Sequence, residues 1–187
     1  ESSIEFSAVK DDFYFDVSGE IYEKMNVHNS DKYEYTLPQY DFSKEQNLNN
    51  SLFNNLTFNS SGSYRKFDTN VDEADIINDF ILSANNQDEF TNLETDFKVL
   101  FRNINTYGNF SKSYKENGDH RLLNTALLNL KYPMIKDEEK NVNFLTPMAS
   151  FRFSPYKGTN LKDEKDILIK FEDLFLLDRI NNKTVEE

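Results

Sequence analysis

Cysteine is absent from the 187 residues, so no disulfide framework, thiolate nucleophile or cysteine-based zinc site can be built. Basic residues are scarce beside acidic ones, 21 against 33, and the formal charge is -12. A phosphate-binding surface needs clustered Lys and Arg, so this balance argues against nucleic acid as a partner. Long apolar runs are also missing. The longest, such as Leu174 to Leu177, fall far short of the roughly 18 residues a membrane-spanning helix needs. There is no Trp, no G-x-S-x-G elbow, no P-loop and no H-E-x-x-H pair. The expectation is a protein that is not an enzyme and carries no cofactor and no metal.

What the chain does have is aromatic residues, 17 Phe and 10 Tyr, placed at alternate positions. Alternation is the period of a β-strand with two unlike faces. It recurs over Ser2 to Val9, over Phe13 to Ile21 with Phe13, Phe15, Val17 and Ile21 on one face, and over Lys32 to Phe42, where Pro38 implies an edge, a bulge or a strand end. Leu48 to Arg65 gives a polar strand whose phase is interrupted by Asn54, Ser60 and Gly62. The apolar knot from Ile76 to Leu82 fits helix and strand alike. Thr91 to Asn103, His120 to Pro133 and Leu145 to Phe153 alternate again, with Tyr107 to Asp119 as a polar connection and KDEEKN, residues 136–141, as a turn. The pattern predicts an all-β chain: about eight strands of roughly ten residues in an antiparallel up-and-down sheet. Phe97, Val99, Phe101, Leu128, Leu130, Ala149, Phe151 and Phe153 are expected on the face that carries Phe13, and Asp16, Glu20, Arg102, Arg121 and Arg152 on the other. Both ends read as cuts through a longer chain, so the domain, residues 1–187, is expected to be incomplete at each.

Specific chemistry is hard to find. His28 and His120 sit in or beside polar connections without carboxylates at metal-binding spacing. Asp72, Glu73, Asp75 and Asp79 lack the glycine and closing Glu of an EF-hand and read as a charged, solvated surface. Four N-x-S/T matches, at Asn55, Asn59, Asn109 and Asn182, are what an Asn-rich chain produces by chance.

Four stretches carry a resemblance. LTPMASFRFSP (145–155), FEDLFLLDRI (171–180), LPQYDF (37–42) and the Tyr132-Pro133 pair resemble segments of the bacterial lipopolysaccharide-assembly (LptD) family. The resemblance implies the partial wall of a large outer-membrane β-barrel in a Gram-negative cell. It implies lipopolysaccharide and membrane lipid as partners, with a lipoprotein plug in the lumen and periplasmic bridge proteins reached through an N-terminal domain this chain does not contain. The strands of the lateral opening and the cysteines of many members are also absent from it. Under that reading Arg102, Arg121, Lys131 and Arg152, on the polar phase, are candidates for contacts inside the barrel, and the apolar knot is a strand. Two alternatives remain open at the level of sequence: a soluble, secreted, carbohydrate-binding β-sandwich, and another outer-membrane porin or receptor barrel.

Overall fold

A computed structural model describes residues 2–24, 32–48, 52–88, 90–138, 141–155, 158–159, 173–174, 176–177 and 185–186. The expectations for His28, for the insertion after Pro155 and for most of FEDLFLLDRI fall outside the described residues. Twelve strands are present among those described: β1 (Ser2–Lys10), β2 (Phe13–Glu23), β3 (Tyr33–Asn47), β4 (Asn55–Phe67), β5 (Asp72–Gln87), β6 (Glu94–Asn109), β7 (Asn117–Lys131), β8 (Met134–Glu138), β9 (Asn141–Leu145), β10 (Met148–Phe153), β11 (Gly158–Thr159) and β12 (Val185–Glu186). The all-β expectation holds. One antiparallel sheet of eight strands runs in the order β1-β2-β3-β4-β5-β6-β7-β10, and β8-β9 and β11-β12 form two small pairs. β1 and β10 are the edges of the large sheet.

Several boundaries differ from the sequence reading. The strands of the sheet's centre, β3 to β7, are 13 to 16 residues long, well beyond ten. β6 runs on through Tyr107 to Asn109, although that stretch reads as a connection. The apolar knot is strand throughout, because each of its residues pairs with both β4 and β6. Leu145 to Phe153 is not one strand: it breaks at Thr146-Pro147 into β9 and β10, since proline has no N–H to give the ladder. Of residues 136–141, read as a turn, 136–138 and 141 belong to the paired arms of the β8-β9 hairpin, and the rest fall outside the described residues. Pro38, which follows a cis peptide bond, lies at a register shift between Thr36 and Gln39, the bulge that was one of its expected settings.

The register fixes which side chains share a face. On one face, here called outer, lie Ile4, Phe6, Phe13, Phe15, Val17, Ile21, Tyr40, Phe42, Leu56, Phe58, Phe80, Leu82, Phe97, Val99, Phe101, Leu128, Leu130, Ala149, Phe151 and Phe153. On the inner face lie Asp16, Glu20, Asp41, Asp79, Arg102, Arg121, Lys131 and Arg152, together with Ile77, Ile81, Leu100, Ile104, Leu123 and Leu127. The two sets expected on opposite faces are on opposite faces.

Burial is lopsided. Of the buried hydrophobic side chains, Ile77, Leu100, Ile104, Leu123 and Leu127 are on the inner face and Ala84 on the outer, whereas Phe6, Leu122, Phe151 and Phe153 on the outer face are 62 to 74% exposed. A compact soluble chain of 22.0 kDa would expose about 9,300 Å², and this one exposes 13126 Å². A single-layered sheet has two faces to cover, and the exposed aromatic side chains gather on the outer one.

Candidate functional site

The inner face is built around an ion pair. Asp79 and Arg102 are directly opposite on β5 and β6, and the guanidinium donates from Nε and Nη2 to the two carboxylate oxygens at 2.7 and 2.8 Å. Both side chains are more than nine-tenths buried, walled by Ile77, Ile81 and Leu100 with Leu177 alongside in a cavity of about 490 Å³. Arg102 is therefore committed to Asp79 within the chain. The other three candidates do not join it. Arg121 donates to Asp119 at 3.4 Å, Arg152 donates from Nη2 to the Leu177 carbonyl at 3.4 Å, and Lys131 lines a separate hollow at the far end of β7 with Glu94, Asp96 and Asn129. They share a face and do not converge on one site.

The acidic run is not a solvated surface. Glu73 and Asp79 are buried, and the alternation of β5 sends Asp72 to the opposite face from the other three. Each carboxylate has its own partner: Tyr64 for Asp72, Ser111 for Glu73, Ser63 for Asp75 and Arg102 for Asp79. Ser111 belongs to the 110–116 loop, which folds against the end of β5. Its hydroxyl oxygen also accepts from the backbone N–H groups of Ser113 and Tyr114, both at 2.9 Å. Tyr114 is held in this loop, and burial, reinforced by the charge of Asp75, pushes its phenol up to about 12.

The outer face carries a pattern that no single strand reveals. On β2, β5, β6, β7 and β10 the apolar residues occupy about three successive outward positions, centred on Phe15, Leu82, Val99, Leu128 and Phe151, while β3 and β4 carry two each, Tyr40 and Phe42, and Leu56 and Phe58. If these centres followed the hydrogen-bonding direction they would be in register. They are not. The register passes from Phe15 to Phe42, Ser60, Asn78, Asn103 and Leu122, so on β7 the apolar centre, Leu128, lies six residues from the residue in register with Phe15, after five strand-to-strand steps. A drift of about one residue, roughly 3.3 Å, for every strand spacing of about 4.8 Å places the belt at roughly 35–40° to the perpendicular of the strands. For the belt to lie level, the strands must tilt by that angle, which is the tilt of strands in transmembrane barrels.

A chain of polar side chains crosses this face. Tyr40 and Ser60 share a hydrogen bond of 3.2 Å, Ser60 donates to Asn78 at 2.8 Å, and Asn78 to Asn103 at 3.4 Å. Asn105 then donates to Asn103 at 2.6 Å and shares a hydrogen bond of 2.7 Å with His120. The ladder spans β3 to β7, and apolar residues resume beyond it at Ile76 and Leu122, with Tyr64 and Tyr107 farther out. From Ala84 to Ile76, nine residues of β5 reach about 26 Å along the strand, or roughly 20 Å perpendicular to the belt at the tilt above. Sequence reasoning missed the ladder because its members are not neighbours in the chain; the one available signal was Asn and Ser recurring in the outward phase.

Among the described residues no three potential metal ligands gather, and no helix is long and apolar enough to cross a membrane. No family model, curated protein or solved structure matches the chain.

Proposed function

We propose that the eight-stranded sheet is part of the wall of an outer-membrane β-barrel, with the Phe-rich face against lipid and the face of Asp79 and Arg102 toward the lumen. The observation that carries this reading is the oblique apolar belt. A soluble sheet packs its apolar face on another layer and has no reason to place it level at a barrel's strand tilt. Exposure argues in the same direction: burying a Phe side chain is worth about 1.5–3 kcal/mol, and leaving Phe6, Phe80, Phe101, Phe151 and Phe153 in water forfeits much of that at each position. In hydrocarbon the same side chains are at home. Backbone groups of the wall are then paired within the sheet, as lipid requires, with further strands supplying partners for β1 and β10.

Within that class, the resemblance of residues 37–42, 132–133, 145–155 and 171–180 to the LptD family supports a non-enzymatic role in delivering lipopolysaccharide to the outer leaflet. The partners are then lipopolysaccharide, membrane lipid, a lipoprotein plug inside the barrel and a periplasmic bridge that feeds it. In this role the inner-face charges Arg121, Lys131 and Arg152 face the plug or the loops that fill the lumen.

Two measurements test the two levels separately. Residues 1–187 hold no cysteine, so single cysteines at Phe151 and Ser150, adjacent and on opposite faces, can be labelled in a protein freed of any other cysteine. The label at 151 is expected to be quenched by a lipid-borne quencher and that at 150 by a water-soluble one; the reverse would sink the membrane reading. Depleting the protein from cells is expected to reduce lipopolysaccharide at the cell surface, and unchanged surface levels would remove the assembly role while leaving the barrel.

A further inference from the structure

We propose that the 110–116 loop is a strap across the inner face at one mouth of the barrel, closed here by the hydrogen bond from Ser111 to Glu73 and able to swing open about Phe110 and Asn117. The inference rests on the reading of the inner face as lumen and adds a moving part to it. The place of the strap comes from the register. Tyr64, Ala74 and Tyr107 form one outward row, and aromatic residues on the lipid-facing side mark the level at which a barrel leaves the membrane. Glu73 and Gly108, the next pair along β5 and β6, stand beside that row on the inner face, where the strap crosses.

The strap is closed, but under load. A Cβ on Gly108 would stand 2.9 Å from the Ser111 Cβ and 3.1 Å from both the Tyr114 Cβ and the Lys115 carbonyl oxygen. All three neighbours belong to the loop, so it lies flat on β6 only because residue 108 has no side chain. Tyr114 carries the strap on toward Asp75 of β5 and Arg65 of β4, whose charges act on its phenol. Ser111 and Glu73 are both buried, and the hydroxyl that donates to the carboxylate also accepts from the Ser113 and Tyr114 N–H groups. One hydroxyl thus ties the backbone of the loop to the sheet. At the two ends Phe110 and Asn117 hold φ at 51° and 68°, a left-handed conformation that asparagine tolerates and phenylalanine resists. The Phe110 side chain is 72% exposed, so its own packing is not what imposes this conformation. Strain of this kind persists only while the surroundings enforce it. Release of Ser111 lets Phe110 relax, and the loop then rises off Gly108 and opens Glu73 and Asp75 to the lumen.

The test uses the intact protein and two readouts. Trypsin can cut the loop after Lys112 and Lys115, and the rate follows the open population when opening is fast relative to cleavage. Ser111→Ala is expected to raise cleavage at these two sites roughly ten- to hundredfold, the equilibrium weight of one hydrogen bond to a charged group. Ser111→Thr keeps the hydroxyl and should keep the native rate. Gly108→Val lifts the loop without touching the latch and should also speed cleavage; it decides the matter if Ser111→Ala fails to fold, which cuts spread beyond the loop would reveal. The second readout is a cysteine at Thr106, buried on the same face two residues before Gly108. A water-soluble thiol reagent should reach it faster in Thr106→Cys/Ser111→Ala than in Thr106→Cys. Cleavage unchanged by loss of the hydroxyl overturns the latch, and faster cleavage without faster thiol reaction overturns the strap, because the loop then moves without uncovering the inner face. A label at position 151 reached only by the water-soluble quencher would instead overturn the membrane reading and leave both of these rates as they are.

Discussion

Single residues on the inner face behave as parts of pairs. Removing the guanidinium alone, by Arg102→Met, leaves the Asp79 carboxylate buried without its partner, a loss of about 3–5 kcal/mol. The double variant Asp79→Leu/Arg102→Met removes both charges from an aliphatic surround and should recover most of that loss. Urea unfolding of the three variants in the same detergent decides it; equal losses in the single and double variants would mean that the pair matters for something other than charge balance. Tyr114 gives a pH signature. Its phenol, at about 12 in the folded chain against an ordinary 10.0, holds its proton more tightly when buried. The stability it lends the 110–116 loop is therefore complete below pH 10 and is lost as pH rises from 10 to 12. Proteolysis within that loop is expected to increase over this window in the native protein and not in Tyr114→Phe.

At the level of elements, the strands were readable where outward positions are apolar and unreadable where they are amide. Phe13 to Ile21 and Phe97 to Phe101 declare their period in the sequence. Reading stops at Asn103 because an outward Asn looks like the start of a loop, yet β6 continues for six more residues, its Asn103 and Asn105 held by side chains from β5 and β7. That information is not local, so no window of one strand could contain it. The same applies to the buried ion pair: Asp79 and Arg102 are 23 residues apart, and only the β5-β6 register makes them neighbours. Gly62 is a third case, reading as an interruption in β4 while serving as a contact. A Cβ there would stand 2.8 Å from the Asp75 carbonyl oxygen and 2.7 Å from the Tyr40 ring, so the seat of the Tyr40 ring on the sheet depends on its absence. Gly62→Val should cost about 1–3 kcal/mol by overpacking, measured by urea unfolding in detergent, and a neutral result would show that Tyr40 swings away freely.

For the whole molecule the governing fact is two edges and one uncovered face. Among the described residues β1 and β10 each pair with one neighbour in the large sheet and carry exposed aromatic or aliphatic side chains, Ile4 and Phe6 at one edge and Phe151 and Phe153 at the other. Such edges recruit further strands, from the rest of a barrel or from other copies. Residues 1–187 expressed alone are expected to aggregate in water and to disperse only in detergent. A monodisperse, cooperatively melting monomer on size-exclusion chromatography without detergent would contradict both the uncovered face and the membrane assignment.

The β8-β9 hairpin is joined to this wall in an unusual way. Pro133 and Pro147 interrupt its two arms at the same level, between the Lys131–Met148 pair below and the Met134–Leu145 pair above. Neither proline can donate a hydrogen bond, and the Tyr132 N–H to the Pro147 carbonyl, at 3.0 Å, bridges the gap. Mechanically this is a swivel set into an otherwise stiff plate. With both prolines at this level withholding a donor, a load on the hairpin is expected to open the joint before it disturbs the pairing of β7 with β10.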